Sequence, residues 1–169
     1  MKTAWGKPVH IIAFIRTLLI VLAVAVCTVA AEDLETLRKK AEAGDVAAQF
    51  NLGLLYDNGE GVRKNAAEAA KWVRKAAEQG YAKAQNSLGL MYAKGMGVPE
   101  DSVAAYAWYS VAATYNSYNA PKKRDAIKRE LTLSQLEKGE VMARKIFERI
   151  EKRKAAAAIR FASSDSSWQ

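Results

Sequence analysis

The sequence predicts an all-α fold, a short solenoid of stacked helical hairpins closed by capping helices. Three observations carry this. Leu52-Gly53-Leu54-x-Tyr56-x-x-Gly59-x-Gly61-Val62 returns as Leu88-Gly89-Leu90-x-Tyr92-x-x-Gly95-x-Gly97-Val98, an offset of 36 residues. The same offset links Ala41-Glu42-x-Gly44 to Ala77-Glu78-x-Gly80, Ala48-Gln49 to Ala84-Gln85, Trp72 to Trp108, and Ala76-Ala77 to Ala112-Ala113. A period of this length marks helical hairpins that bury their apolar faces against one another. Between 34 and 158 the apolar spacing is helical and Ala, Leu, Lys, Glu and Arg dominate.

The elements follow in order. Residues 32–45 form an N-terminal capping half-repeat, because Arg38-x-x-Ala41 matches Arg74-x-x-Ala77 at the end of a second helix. The first repeat, 46–80, opens with Asp45 capping a helix of about 46–58 that the Gly59-x-Gly61 turn ends. Asn65, with Glu68 three residues on, reads as a capping-box-like start for a helix of about 66–79, closed by Gly80 as Gly44 closes the helix before. The second repeat, 82–117, has a helix of about 82–94, the Gly95-x-Gly97 turn, Pro99 and Asp101 as start signals, and a helix of about 102–116. Capping helices fill 121–160: Pro121 opens one to about Leu131, and Ser134 with Glu137 starts a long one to about Ile159. Gly139 inside it costs roughly 1 kcal/mol relative to alanine. Residues 161–169 are a polar, flexible tail. Two complete hairpins are few for a solenoid, so the caps belong to the folding unit.

The recurring residues are structural. Ala48, Leu52 and Tyr56, spaced by four, share one face of the first helix, as Ala84, Leu88 and Tyr92 do in the second repeat. Ala69, Trp72, Ala76 and Ala77 make the opposing stripe. Gly53 and Gly89 stand mid-helix, where close approach of the partner helix explains them, with Trp72 or Trp108 filling the adjacent space. Gly59, Gly61, Gly95 and Gly97 supply positive φ. A Gly-x-Gly pair can cradle phosphate, but these pairs end a helix and follow no strand.

Ala-x-Ala-Gln-x-x-Leu-Gly-x-x-Tyr-x-x-Gly-x-Gly-Val, then Asp or Asn and Ala-x-x-Trp before an Ala-Ala pair, resembles the Sel1-like repeat, a relative of the tetratricopeptide repeat. The resemblance covers 34–116, and Arg124-Asp125 with Leu131-Thr132-x-x-Gln135 is similar to the closing segment of such proteins. Val73 stands where the repeat usually has an aromatic, which Tyr109 keeps. The cysteine pair per repeat of some secreted members is missing. The resemblance implies a short right-handed α/α superhelix acting as an adaptor, with some envelope members modulating sensor kinases or host contacts.

Composition narrows the compartment and the chemistry. Residues 1–31 read as a signal peptide: Lys2, Lys7 and Arg16 without an acid, an unbroken apolar run over 17–26, and small residues to a cleavage point near Ala31. The protein is then periplasmic or secreted. The alternative is an inner-membrane anchor formed by 11–31, although Arg16 leaves less than the ~20 apolar residues a span needs. Cleavage would remove His10 and Cys27, the only histidine and the only cysteine, and lower the net charge from +8 to +5. No disulfide, His/Cys zinc site, thiol nucleophile or histidine base is then available. No cofactor, metal or nucleic-acid partner is expected, and the mild positive charge favours acidic partners or anionic surfaces.

Recognition is sought where the two repeats differ. Stepping from the buried stripe along the first helices, which line the concave face in related repeats, gives Ala47, Phe50, Leu54, Asp57 and Asn58. Their counterparts are Lys83, Asn86, Leu90, Ala93 and Lys94. Leu54 and Leu90 would floor a groove for a protein or peptide; ordinary packing between repeats is the competing reading for them and for Phe50. A second candidate is the basic C-terminal helix, where Arg144, Lys145, Arg149, Lys152, Arg153, Lys154 and Arg160 interleave with Ile146, Phe147, Ile150, Ile159 and Phe161. It is either a solvated cap or a weak contact for an acidic partner or anionic lipid. The function expected is a non-enzymatic interaction module of the cell envelope, with regulation as a further role. The alternative is a membrane-associated assembly factor; an envelope hydrolase fits worst, since Glu137 and Glu140 are the nearest thing to a catalytic pair and Ser-x-x-Lys is missing.

Overall fold

The computed structural model describes residues 33–165 apart from 116 and 118. The signal or anchor expected over 1–31 and the tail over 166–169 lie outside these residues. The chain divides into two units, Met1–Leu37 and Arg38–Gln169. Of the first, the described part is the opening of helix α1 (33–42). The second contains the rest of α1 and six further helices: α2 Val46–Asn58, α3 Ala66–Glu78, α4 Ala82–Lys94, α5 Ser102–Thr114, α6 Ala120–Lys128 and α7 Leu133–Asp165. No strand occurs among the described residues.

Local chemistry sets the helix ends. Asp45 accepts from the Ala48 amide (2.7 Å), Asn65 from the Ala67 and Glu68 amides, and Asp101 from the Val103 and Ala104 amides. Glu68 pairs with Lys71 at 3.3 Å, so the Asn65 box is closed on one side only. α2 and α4 end on left-handed Gly59 (φ 80°) and Gly95 (φ 64°). The start of α7 differs from expectation. Thr132 and Gln135 form the reciprocal cap: the Gln135 amide donates to Thr132 Oγ1 (3.3 Å) and the Thr132 amide to Gln135 Oε1 (2.9 Å). That box sits two residues before Ser134 and fixes where α7 begins. α6 stops at Lys128, short of Leu131, and α7 continues past Ile159 to Asp165 because no glycine or proline interrupts the run after Gly139.

Within the second unit, α2 pairs with α3 and α4 with α5, while α3 joins the two hairpins by packing on α4. Leu52, Val73, Leu88 and Val111 are buried in a core otherwise rich in alanine. Burying each leucine contributes on the order of 2–3 kcal/mol. Hydrogen bonds repeat with the sequence. Gln49 Nε2 donates to the Ala41 carbonyl (3.0 Å) as Gln85 Nε2 does to Ala77 (3.2 Å). Arg38 reaches the Tyr56 hydroxyl (3.1 Å) as Arg74 reaches Tyr92 (2.7 Å). Each repeat therefore grips the helix before it through the same two side chains.

The mid-helix glycines have a different neighbour from the one expected. A Cβ on Gly53 would lie 2.8 Å from Val73 Cγ2, and one on Gly89 would lie 2.8 Å from the Tyr109 ring. The position after each tryptophan, not Trp72 or Trp108 itself, occupies the space. α7 lies against α5 and reaches α3, burying Ile146 and Ile150.

Candidate functional site

α7 is held at three places. Near its start, Gly139 lets the backbone meet buried Tyr106, whose Cδ1 would be 2.7 Å from a Cβ. In the middle, Ile146 joins the core and half-exposed Phe147 stacks on Tyr115 at 6.0 Å between ring centroids. Further on, Glu151 accepts from the Tyr115 hydroxyl, Lys154 bonds Glu151 at 3.1 Å and lies 4.1 Å over the Tyr115 ring, and Arg153 reaches Glu78 at 3.3 Å. The hydrogen bonds from Tyr115 and Lys154 hold the Glu151 carboxyl below the usual carboxylate range. Against the cost of partial desolvation, hydrogen bonds with Glu151 and Tyr115 raise the Lys154 ammonium. Burial, together with the Glu151 hydrogen bond, raises the Tyr115 phenol.

Between α7 and the repeats the surface forms an open groove of about 610 Å³. One wall is Lys138, Val141, Met142, Lys145 and Arg149 on α7; the other is Arg74 and Glu78 on α3 and Tyr92 on α4, with Trp108 and Ile146 at the base and Glu137 at one end. Val141 and Met142 are 47% and 39% exposed, an apolar pair kept in solvent between cations. Arg74 is committed to Tyr92 and Glu78 to Arg153. Among the described residues no ion pair engages Lys138, Lys145 or Arg149, and no group of His, Cys, Asp and Glu is placed to hold a metal. The groove offers exposed apolar side chains between cationic rims, which is the chemistry of binding.

The residues expected on the first helices are placed differently from one another. Phe50 is buried at 9% exposure, edge-on to Tyr81 with ring centroids 5.3 Å apart. It belongs to the packing between repeats, because Tyr81 at the start of α4 closes over it. Ala47, Leu54 and Asn58 are exposed and Asp57 is half-buried, with Asn58 bonded to Glu60 at 2.8 Å. On α4, Lys83 and Lys94 are exposed while Asn86, Leu90 and Ala93 are half-buried. Lys83 and Asn86 come together in a second cavity, of about 670 Å³, with Tyr81, Tyr115 and Lys123; there Lys123 donates to Asn86 at 3.3 Å. Of the residues of the basic C-terminal helix, Ile146 and Ile150 are cap contacts, Lys145 and Arg149 line the groove, and Ile159 is 70% exposed. The groove's other wall was missed because Arg74, Tyr92 and Trp108 read as structural. The signal that could have found it is the spacing of cations along α7.

Comparison with known proteins agrees with this architecture. Residues 46–81 and 82–114 each match the Sel1 repeat family. A Sel1 repeat protein from Oxalobacter formigenes is 35% identical over 71% of this chain and 98% of its own, with a TM-score of 0.53. The chain belongs to the Sel1 repeat family. The chain is also 38% identical, over 75% of its length, to part of a protective antigen present in uropathogenic Escherichia coli strains that displays an SLR fold, with a TM-score of 0.68. The chain spans only 27% of that antigen's length. Curated proteins give no match. Sel1 repeats are generally protein–protein interaction modules and typically a non-catalytic fold. In this chain the two Sel1 repeats of the α/α solenoid are followed by α7, which makes one wall of the groove.

Proposed function

We propose that this Sel1 repeat protein is a non-enzymatic adaptor of the cell envelope that holds a protein partner in the groove between α7 and the repeats. The observation that carries the reading is the pairing of exposed Val141 and Met142 with cations that no described acid neutralises. An exposed apolar pair rimmed by charge is characteristic of an interaction site. The first-helix face is a second surface within this reading, since Leu54 stays 38% exposed after Phe50 is withdrawn into the core.

Affinity capture from envelope extracts tests the groove against that second surface. Val141→Glu with Met142→Glu is expected to lose the partners that wild type and Leu54→Glu retain. Equal recovery by all three would contradict a groove-based adaptor. The envelope assignment rests on the basic and apolar composition of 1–31. No described helix is long and apolar enough to cross a membrane; an anchor formed by 11–31 is the alternative. Amino-terminal sequencing of envelope fractions is expected to begin near Glu32; an intact Met1 in membranes would contradict cleavage. A regulatory role is the natural extension, because an adaptor acts by what it brings together.

A further inference from the structure

The groove is one part of a longer feature on α7. Lys138, Met142, Lys145, Arg149, Lys152, Ala156 and Ile159 follow one another at alternating spacings of four and three. Such spacing places them on one seam of a helix, the pattern by which helices pair side by side. All seven are exposed. At ~1.5 Å per residue the seam runs about 30 Å. Four of its seven positions are cations, and none of Lys138, Lys145, Arg149 or Lys152 has an ion-pair partner among the described residues.

We infer that the seam docks an acidic amphipathic helix of a partner protein, lying along α7 with its first turns seated in the groove. This rests on the groove being the binding surface and adds the chemistry of what binds. The cations select the charge: a cationic seam pairs favourably with carboxylates and unfavourably with another cationic helix. The same repulsion disfavours a second copy of this chain laid seam to seam. Exposed Met142 and Val141 select the amphipathic form, because they need apolar side chains recurring every third or fourth residue. A merely anionic surface would satisfy the cations and leave this apolar floor in water.

The test uses the full chain and three synthetic peptides of about three heptads. The first is a helix with glutamate and leucine alternating on its seam. The second has the same composition with the spacing scrambled, and the third carries lysine for glutamate. By calorimetric titration the first peptide is expected to bind at least tenfold more tightly than either control and to weaken as salt is raised. Lys145→Glu with Arg149→Glu is expected to abolish the preference for the acidic peptide; both side chains are exposed, and an unchanged melting temperature verifies the fold. Equal binding of ordered and scrambled acidic peptides would overturn the inference by showing bare electrostatic attraction. So would tighter binding to phosphatidylglycerol vesicles than to the acidic helix, or dimerisation in sedimentation that the charge reversal removes. If Val141→Glu with Met142→Glu loses cellular partners while no acidic helix binds, the adaptor reading stands and the partner class is wrong. If neither effect appears, both fail.

Discussion

Gly139 of α7 and Tyr106 of α5 meet so closely that a Cβ on the glycine would stand 2.7 Å from the tyrosine Cδ1. The contact explains a glycine in the interior of a long helix. In an exposed helix Gly→Ala stabilises by about 1 kcal/mol. Here Tyr106 is buried at 6% exposure, so its ring would have to shift within the packed interior. Gly139→Ala should therefore destabilise by about 1–2 kcal/mol net of propensity, measured as a lowered midpoint in urea. A raised midpoint would show that α7 is not seated on α5 as described.

The turn glycines should differ sharply among themselves. Gly97 has φ 69°, and a Cβ there would lie 1.9 Å from the Ala66 carbonyl oxygen, a backbone atom. Gly44 has φ 100° and nothing within 4 Å of a Cβ. Gly44→Ala should cost only backbone strain, about 1–2 kcal/mol, whereas Gly97→Ala adds a clash between repeats and should exceed about 3 kcal/mol. Similar melting temperatures for the two variants would refute the close seating of the second turn on α3.

Two buried glutamines test the repeat at finer grain. Gln49 Oε1 accepts from Gln79 Nε2 at 2.7 Å, whereas Gln85 Oε1 is buried with no partner among the described residues. The residue 36 positions after Gln79 is Tyr115, whose hydroxyl is turned to Glu151 instead. Both acceptor carbonyls keep a backbone partner, Gly44 to Ala41 and Gly80 to Ala77. Gln85→Leu should thus be nearly neutral, and Gln49→Leu about 1 kcal/mol or more worse. Equal losses in chemical denaturation would count against the asymmetry.

The docking of α7 should weaken in acid. Glu151 titrates below the ordinary carboxylate value in the folded chain, because Tyr115 and Lys154 bond its charged form. A lowered folded-state pKa gives stability that is present above the unfolded value and lost as pH falls through the folded one. Between neutral pH and that range, Glu151→Gln should be less stable than wild type, and the gap should close as the pH drops. A gap independent of pH would place the effect of Glu151 elsewhere. At the alkaline end, burial pushes Tyr109 up to about 12, so its contribution fades as pH rises from the ordinary tyrosine value towards that figure. Tyr109→Phe should flatten that limb.

The repeat made most of the fold legible. Leu52 with Leu88, the caps Asp45, Asn65 and Asp101, and the left-handed Gly59 and Gly95 each state a local preference that packing then uses. What opposes Gly53 was not legible, because residues 72 and 73 lie side by side and only three-dimensional packing decides which one faces the glycine. The α7 cap was missed for a related reason: Ser134-x-x-Glu137 and Thr132-x-x-Gln135 both read as capping boxes, and the folded chain forms the second. The site was read least well. Phe50 differs from Asn86 in sequence, yet Tyr81 seals it. The groove depends on α7 lying across α5 towards α3, a long-range contact that no local pattern announces.

In-cell photo-crosslinking from single positions tests most directly whether this groove is where the protein holds its partner. With a photoreactive side chain at Met142, at Leu54 or at exposed Glu42 as background, we expect discrete adducts from Met142 above both other positions, lost on Lys145→Glu with Arg149→Glu. Adducts from Leu54 with none from Met142 would contradict it; adducts from Met142 that survive the charge reversal would keep the partner in the groove and contradict its acidic character.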